Sequence, residues 1–492
     1  MTSATILGVV IGYLLILLAI GFWGGRESSD LKGYYVAGKK LPSWVIAFSS
    51  NATGESAWLL LGLTGMGYAI GVHAFWIIMG EVLGVACAWV FVARPFKEYT
   101  DRCDAITVPD YLTERFLDTS NAFRWLSAVI ILSMVVAYTA AQLTASGKAF
   151  DSFLGTGYTQ GVWIGLAIVL FYTTVGGFKA VAYSDFLQGV LMLGCLLMLP
   201  IVGMANAGGW GDMISNLRAQ DPALLEPMGA YGLTLAGVIS AAGSVAIGLA
   251  FLGSPQLLTR FMAARDQKQI VDGGFWAVLC VIGFDVGAVF GGMAGRSLFP
   301  GLADPETILP AMSATLFPAF FTGIFLVVVL AAIMSTMDSL LILASSVVVR
   351  DVVQKSLGSS ASERMLSMMG KGVTVVIGSI GLVVALLEVR VIFDFVLFAW
   401  SGIACAFTPV VLCSLYWKRT TREGAIAGMI GGFATTVIWV RVFKAGFYDL
   451  YEMIPGFAAG LLVCVVVSLV TKPDDGAVAE LESVRDTVGP VF

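Results

Sequence analysis

Eight consecutive small and polar residues, Ser49-Ser50-Asn51-Ala52-Thr53-Gly54-Glu55-Ser56, interrupt an apolar run otherwise long enough to cross a bilayer. Hydrocarbon tolerates irregular backbone only where it is buried in protein or lines a wet cavity, since an unpaired N–H or C=O there has no water to bond. A broken helix frees carbonyl oxygens, and freed carbonyls at membrane depth suit a hard cation and a small polar solute. A second cluster, Ser335-Thr336-Met337-Asp338-Ser339, lies inside another apolar run far downstream. Two such clusters suggest a site built between two helices. The chemistry expected is binding and release between two helices, with no catalytic residues and no bond made or broken.

The setting of both clusters is a membrane. Hydrophobic residues make up 58% of the 492 residues and charged residues 12%, with a mean hydropathy of +0.89. A soluble chain of this length needs more surface charge. Apolar stretches of spanning length recur near 5–23, 43–70, 74–93, 124–147, 160–178, 184–206, 231–256, 272–297, 315–345, 371–388, 391–416, 423–443 and 451–471. The reading is thus an all-α integral membrane protein of about thirteen transmembrane helices, multi-pass in the cell inner (plasma) membrane, with the lipid bilayer as partner. One transporter domain covers 1–471, and 472–492 forms a short polar cytoplasmic tail.

Loop charge orients the bundle, because short cytoplasmic loops carry excess Lys and Arg. With the N-terminus outside and the C-terminus inside, 22 of the 28 basic residues fall on the inner side. The six left outside are Lys148, Arg218, Arg296, Arg390, Arg441 and Lys444. The net charge of −5 is thinly spread, so no basic face exists for nucleic acid, and no obligatory protein partner is evident. Seven scattered cysteines and a single histidine, His73, give no metalloprotease spacing; the cysteines read as buried small apolar residues. Ile6 to Trp23 lacks a basic leader and a small-residue cleavage site, so it reads as a retained helix.

The break in 43–70 has a counterpart in 231–256, where Ser240-Ala-Ala-Gly-Ser244, Gly248 and Gly253-Ser-Pro255 recur in an apolar run. Spans 43–206 and 231–416 therefore read as two five-helix repeats of inverted topology, each opening on a discontinuous helix. Packing of small residues between helices is the competing reading for the second break.

The segments Phe48-Ser-Ser-Asn-Ala-Thr-Gly-Glu-Ser-Ala-Trp-Leu-Leu-Leu-Gly62, Arg260-Phe-Met-Ala-Ala264 and Ala331-Ala-Ile-Met-Ser-Thr-Met-Asp-Ser-Leu340 resemble the solute:sodium symporter family. Further likenesses, in Thr107-Val-Pro-Asp-Tyr-Leu-Thr-Glu-Arg-Phe116, Thr408-Pro-Val-Val-Leu412, Gly424-Ala-Ile-Ala-Gly-Met429 and Leu450-Tyr-Glu-Met-Ile-Pro-Gly456, run to its bacterial proline-transporting branch. The resemblance implies a LeuT-type fold and sodium-coupled import of a small organic solute by alternating access. Proline is the first expectation; another small amino acid, a monocarboxylate or a sugar is the alternative. A sodium-leak channel and a transporter-like sensor stand further off.

By the same resemblance, carbonyls of Ala52, Glu55 and Ala332 and hydroxyls of Ser335 and Thr336 hold Na+, the co-transported ion. Asp185, with Asp338 and Ser339, forms a second cation position or an exit path. Asn51, Glu55, Ser56, Trp58, Tyr138, Ile247 and Phe251 surround the substrate. This chain departs from the pattern where Gly54 replaces an aspartate and Glu55 follows, and where Ile247 and Phe251 replace a tryptophan and a tyrosine. Intramembrane acids mark functional paths by default, and Glu81, Asp285 and Asp394 receive no role from the resemblance.

Overall fold

Helix α1 (Thr2–Gly25) leads into the short α2 (Leu31–Val36), started by Asp30, whose carboxylate accepts from Gly33 N at 3.0 Å. The computed structural model describes residues 2–26, 30–387 and 392–489; Arg390 lies outside them, as does the side chain of Asp394. There follow α3 (Ser43–Gly54), α4 (Thr64–Ile70), α5 (Phe75–Cys87) and α6 (Ala93–Arg102). Next come α7 (Val108–Arg115), α8 (Ala122–Leu154), α9 (Tyr158–Asn206) and α10 (Trp210–Gln220). The second half holds α11 (Leu235–Ala246), α12 (Pro255–Ala263), α13 (Gln267–Leu298), α14 (Ile308–Leu316), α15 (Ala319–Ser346) and α16 (Glu363–Leu386). The chain ends in α17 (Ile392–Tyr416), α18 (Arg422–Ile438), α19 (Met453–Val470) and α20 (Asp475–Val488).

Among the described residues, eleven helical stretches are long and apolar enough to cross a membrane. The sequence predicts thirteen, and two continuities account for the difference. Residues 58–102 run as one helical stretch through a tight turn at Gly71–Ala74, joining the expected 74–93 span to the end of the 43–70 span. Likewise 160–178 and 184–206 both fall within α9, which is two helices joined at a kink at Gly177, φ 61 and ψ −171. At 1.5 Å per residue its 49 residues amount to about 74 Å of helix, enough for two passes of the hydrocarbon.

Helix α15 is buried along nearly its whole length, and α1, α3, α8, α9 and α16 pack around it. Helices α18 and α19 pair beside α17. The second interrupted segment makes two close backbone contacts. Close to the start of α3, Leu41 N donates to Ala263 O and Arg265 N to Leu41 O, both at 3.0 Å, the one backbone bridge among the described residues. Across the second break, α5 presses its glycines onto the backbone: a Cβ on Gly248 would lie 1.8 Å from Gly80 O, and one on Gly84 2.1 Å from Gly248 O. Small residues permit this approach where lipid offers no hydrophobic drive for helices to associate.

Several basic residues counted as loop charges are interior. Arg115, Arg124 and Arg260 are all buried. Arg124 Nη1 donates to Asp110 and Asp351 at 2.6 Å each, so α8, α7 and the helical extension of α15 are clamped by one guanidinium. The tail, short and polar in sequence, contains a packed helix. Asp474 caps α20, whose Ala477, Leu481 and Val484 are buried, and Arg94 Nη2 holds its end through Val488 O at 2.9 Å. The seven free cysteines fit the buried reading in part: Cys195, Cys280, Cys405, Cys413 and Cys464 are buried, while Cys87 and Cys103 are half-buried.

Candidate functional site

Helix α3 stops where the sequence places its break. Glu55 N still donates to Asn51 O at 2.8 Å, but Glu55 leaves helical geometry at φ −85 and ψ 1. A widened turn at Trp58–Leu63 follows, with the Trp58 indole N–H on Gly54 O at 3.3 Å. Glycine is needed at 54, since a Cβ there would meet the Phe251 ring at 2.8 Å. The second break lies opposite: α11 tightens over Ile247–Leu252 before Pro255 restarts the chain as α12.

Facing α3, the intact α15 presents its hydroxyls to the break. Ser335 Oγ donates to Ala52 O at 2.8 Å and lies 3.1 Å from Ala332 O. Thr336 Oγ1 donates to Thr53 O at 3.0 Å. Ala52, Ala332, Ser335 and Thr336 are thus drawn together from residues some 280 apart in sequence, all buried. The Glu55 carbonyl sits one turn past Ala52 and accepts only a long bond from Leu59 N at 3.4 Å. The arrangement gathers carbonyl and hydroxyl oxygens, the donor set that hard cations choose.

Below that pair lies a network organised by Arg260, which sequence reasoning quoted in a motif without giving it a role. Its Nη2 reaches Thr53 Oγ1 at 2.7 Å, Asp185 Oδ2 at 3.1 Å and Ser339 Oγ. Nε donates to Ser49 at 3.1 Å and Nη1 to Gln256 O at 2.7 Å. Asp185 also accepts from Ser49 Oγ at 2.6 Å, and Asp338 accepts from Tyr172 Oη at 2.5 Å and Ser339 Oγ at 3.1 Å. Asp185 therefore pairs with Arg260. The only advance signal was an arginine flanked by Thr259 and Phe261 in an otherwise apolar helix.

The residues expected around a substrate are only partly brought together past the break. Tyr138 Oη bonds Ser56 Oγ at 3.4 Å. Trp400 Nε1 donates to Ile247 O at 3.2 Å, and its ring packs edge-on to Phe251 with centroids 5.4 Å apart. A cavity of about 490 Å³ lined by Tyr231, Ser240, Ser244, Lys444 and Tyr451 reaches Ile247. Asn51 is turned elsewhere, its Nδ2 on Ala277 O at 2.6 Å. The Glu55 carboxylate lies with Glu81 of α5 and Asp285 of α13, one oxygen from each within 4.8 Å of the others, all buried.

A LeuT-type bundle with a broken helix opposite a hydroxyl pair defines a secondary transporter, and comparison with known proteins fixes which kind. A model described as the sodium:solute symporter family matches residues 34–432. The high-affinity proline transporter PutP of Bacillus subtilis (strain 168) is 37% identical over 483 residues, covering 96% of this chain and 100% of that protein. The sodium/proline symporter of Staphylococcus aureus (strain JH9) is 34% identical over 491 residues, 97% of this chain and 95% of that one. Among solved structures, a Na+-coupled sialic acid symporter in a substrate-bound outward-open state aligns with a TM-score of 0.80 at 18% identity, covering 95% of this chain and 98% of that one. The chain belongs to the sodium:solute symporter family. It is a multi-pass plasma-membrane protein that couples sodium to the movement of a small solute.

Proposed function

We propose that the protein imports proline together with sodium, the ion held by carbonyls of Ala52, Glu55 and Ala332 and hydroxyls of Ser335 and Thr336. The observation that carries this reading is the pair of contacts from Ser335 and Thr336 to the carbonyls of Ala52 and Thr53, at 2.8 and 3.0 Å. A sodium ion between the same groups would exchange each hydrogen bond for an ion contact with little rearrangement. Relatives named as proline transporters, similar over nearly the full chain, support the substrate.

Ser56, Trp58, Tyr138, Ile247 and Phe251 surround the solute in this reading, with Asn51 and Glu55 at its edge. Asp185, Asp338 and Ser339 line the exit, where the Arg260 guanidinium already neutralises Asp185; an exit path is favoured there over a second cation. The bundle is thirteen spans with the N-terminus outside, counting α9 twice about Gly177 and 43–70 apart from 74–93. Repeats 43–206 and 231–416 rock against each other to expose the site alternately. Sodium entering down the membrane potential supplies about 2.3 kcal/mol per 100 mV. Linkage requires substrate to tighten sodium by the same factor as sodium tightens substrate.

The test is uptake of radiolabelled proline into proteoliposomes with a sodium gradient, alongside other amino acids, monocarboxylates and sugars. Sodium-stimulated proline uptake is expected, with Ser335→Ala and Thr336→Ala each raising the sodium concentration for half-maximal uptake about tenfold or more, as loss of a contact to a charged group does. Unchanged sodium dependence in both variants overturns the ion site. Sodium-driven uptake of a monocarboxylate or sugar with no uptake of proline overturns the substrate.

A further inference from the structure

Three carboxylates meet inside the bundle where the family resemblance gives them no common task. Glu55 follows the break in α3, Glu81 is in the middle of α5 and Asp285 in the middle of α13. The sequence separates them widely, so only folding brings them together. One oxygen from each lies within 4.8 Å of the others. The cluster is also starved of partners: both carboxylate oxygens of Glu55, both of Asp285 and Oε2 of Glu81 are buried with no hydrogen-bond donor. Asn51 Oδ1, one turn before Glu55 on the same face of α3, is buried and unpartnered as well.

Buried polar atoms in folded proteins are satisfied almost without exception, and an orphaned set signals something that belongs among them. Hydrogen-bond donors from the protein do not fill that role. Arg260 is committed to Asp185, Ser49, Thr53 and Ser339, and Lys444 to Glu452. Protons on the acids can satisfy part of it. Any of the three acids left ionised puts a negative charge in the membrane interior, and charge at that depth requires a partner.

We infer that Glu55, Glu81 and Asp285 form a second sodium site, separate from the carbonyl and hydroxyl site at Ser335. Three oxygens no more than 4.8 Å apart leave a common centre about 2.8 Å or less from each, close to the distances of hard-cation coordination. An all-carboxylate set suits such an ion, and a single sodium neutralises one ionised acid of the three. Glu55 links the two sites, because its carbonyl borders one while its side chain enters the other. Occupation of the triad draws the chain after the break toward α5 and α13. This inference goes beyond the proline reading and does not depend on the identity of the solute.

Saturation binding of radiolabelled sodium to the purified full-length protein, measured without solute, tests it. Wild type is expected to bind two ions per chain. The paired variant Glu81→Gln/Asp285→Asn is expected to bind one fewer than wild type, whatever Ser335→Ala/Thr336→Ala does. The latter variant leaves the triad intact, so it stays informative if the acid substitutions impair folding. One ion retained there supports the triad, and none retained overturns it. A single ion in wild type that survives in Glu81→Gln/Asp285→Asn also overturns it, and marks the triad as holding protons alone. Failure of the Ser335 site shows separately, as undiminished binding in Ser335→Ala/Thr336→Ala.

Discussion

Removing the charge of Arg260 while leaving Asp185 in place should be among the most damaging single changes in the protein. The pair is fully buried with N–O at 3.1 Å; Asp185 Oδ1 has no donor, and Oδ2 accepts from Arg260 and from the neutral Ser49 hydroxyl. At an effective dielectric of 20, a separation of 3.1 Å gives a gross attraction of about 5 kcal/mol. Breaking one side of a buried pair costs about 3–5 kcal/mol, because the remaining charge stays desolvated, whereas removing both charges is far milder. Arg260→Met and Asp185→Leu should therefore each destabilise by about 3–5 kcal/mol, and the double variant by clearly less than their sum. The assay is a double-mutant cycle on reversible unfolding of the purified protein in mixed micelles, with proline uptake followed in parallel. A coupling energy below about 0.5 kcal/mol, the range of independent sites, would refute the argument that Arg260 exists to neutralise this acid. Uptake should fall in Arg260→Met even where protein is recovered, because Thr53 and Ser339 lose the donor that fixes them beside the proposed ion site.

Gly248→Ala should abolish correctly folded protein, since its Cβ would sit 1.8 Å from Gly80 O and backbone cannot swing aside as a side chain does; detergent-extractable yield and size-exclusion profile check this, and wild-type behaviour would refute the close contact. Asp118, in the turn between α7 and α8, offers a test by pH. Burial raises its carboxyl, but hydrogen bonds from Ser120 and Phe123 N and the Arg422 guanidinium outweigh it and hold the group below its ordinary value of 3.8. A depressed carboxylate stabilises fully above the unfolded value, and that contribution drains away as pH falls through the folded one. Thermal unfolding below about pH 4 should thus weaken more steeply in wild type than in Asp118→Asn, with parallel curves refuting the linkage.

How much of this was legible beforehand depends on the distance over which each feature is determined. The break at Asn51–Ser56 is local, written in small and polar residues within one apolar run, and α3 ends there. The hydroxyl pair 335–336 was readable for the same reason, and its meeting with Ala52 followed from the resemblance. Arg260 was not, because a loop-charge count assigns a basic residue to the nearest end of a span and cannot see that α12 is itself buried. Arg115 and Arg124 escaped in the same way. The triad of Glu55, Glu81 and Asp285 is invisible to any window along the chain, since each acid alone resembles an isolated anomaly. The count of spans was blurred by Gly177 and by the turn at Gly71–Ala74, which bend helical structure without the polar loop that marks a boundary. Helix α20 is short and charged, and its packing against α6 and Arg94 depends on tertiary contacts.

The two backbone bonds that join Leu41 to Ala263 and Arg265 bear on motion. Both discontinuous helices are stapled at one membrane face by a rung of extended chain, and such a rung does not stretch. A conformational cycle must either carry the two helices as a single lever or snap both bonds together at every turnover. The first course makes the surrounding helices the moving jaws, and it turns a minor loop contact into the fulcrum.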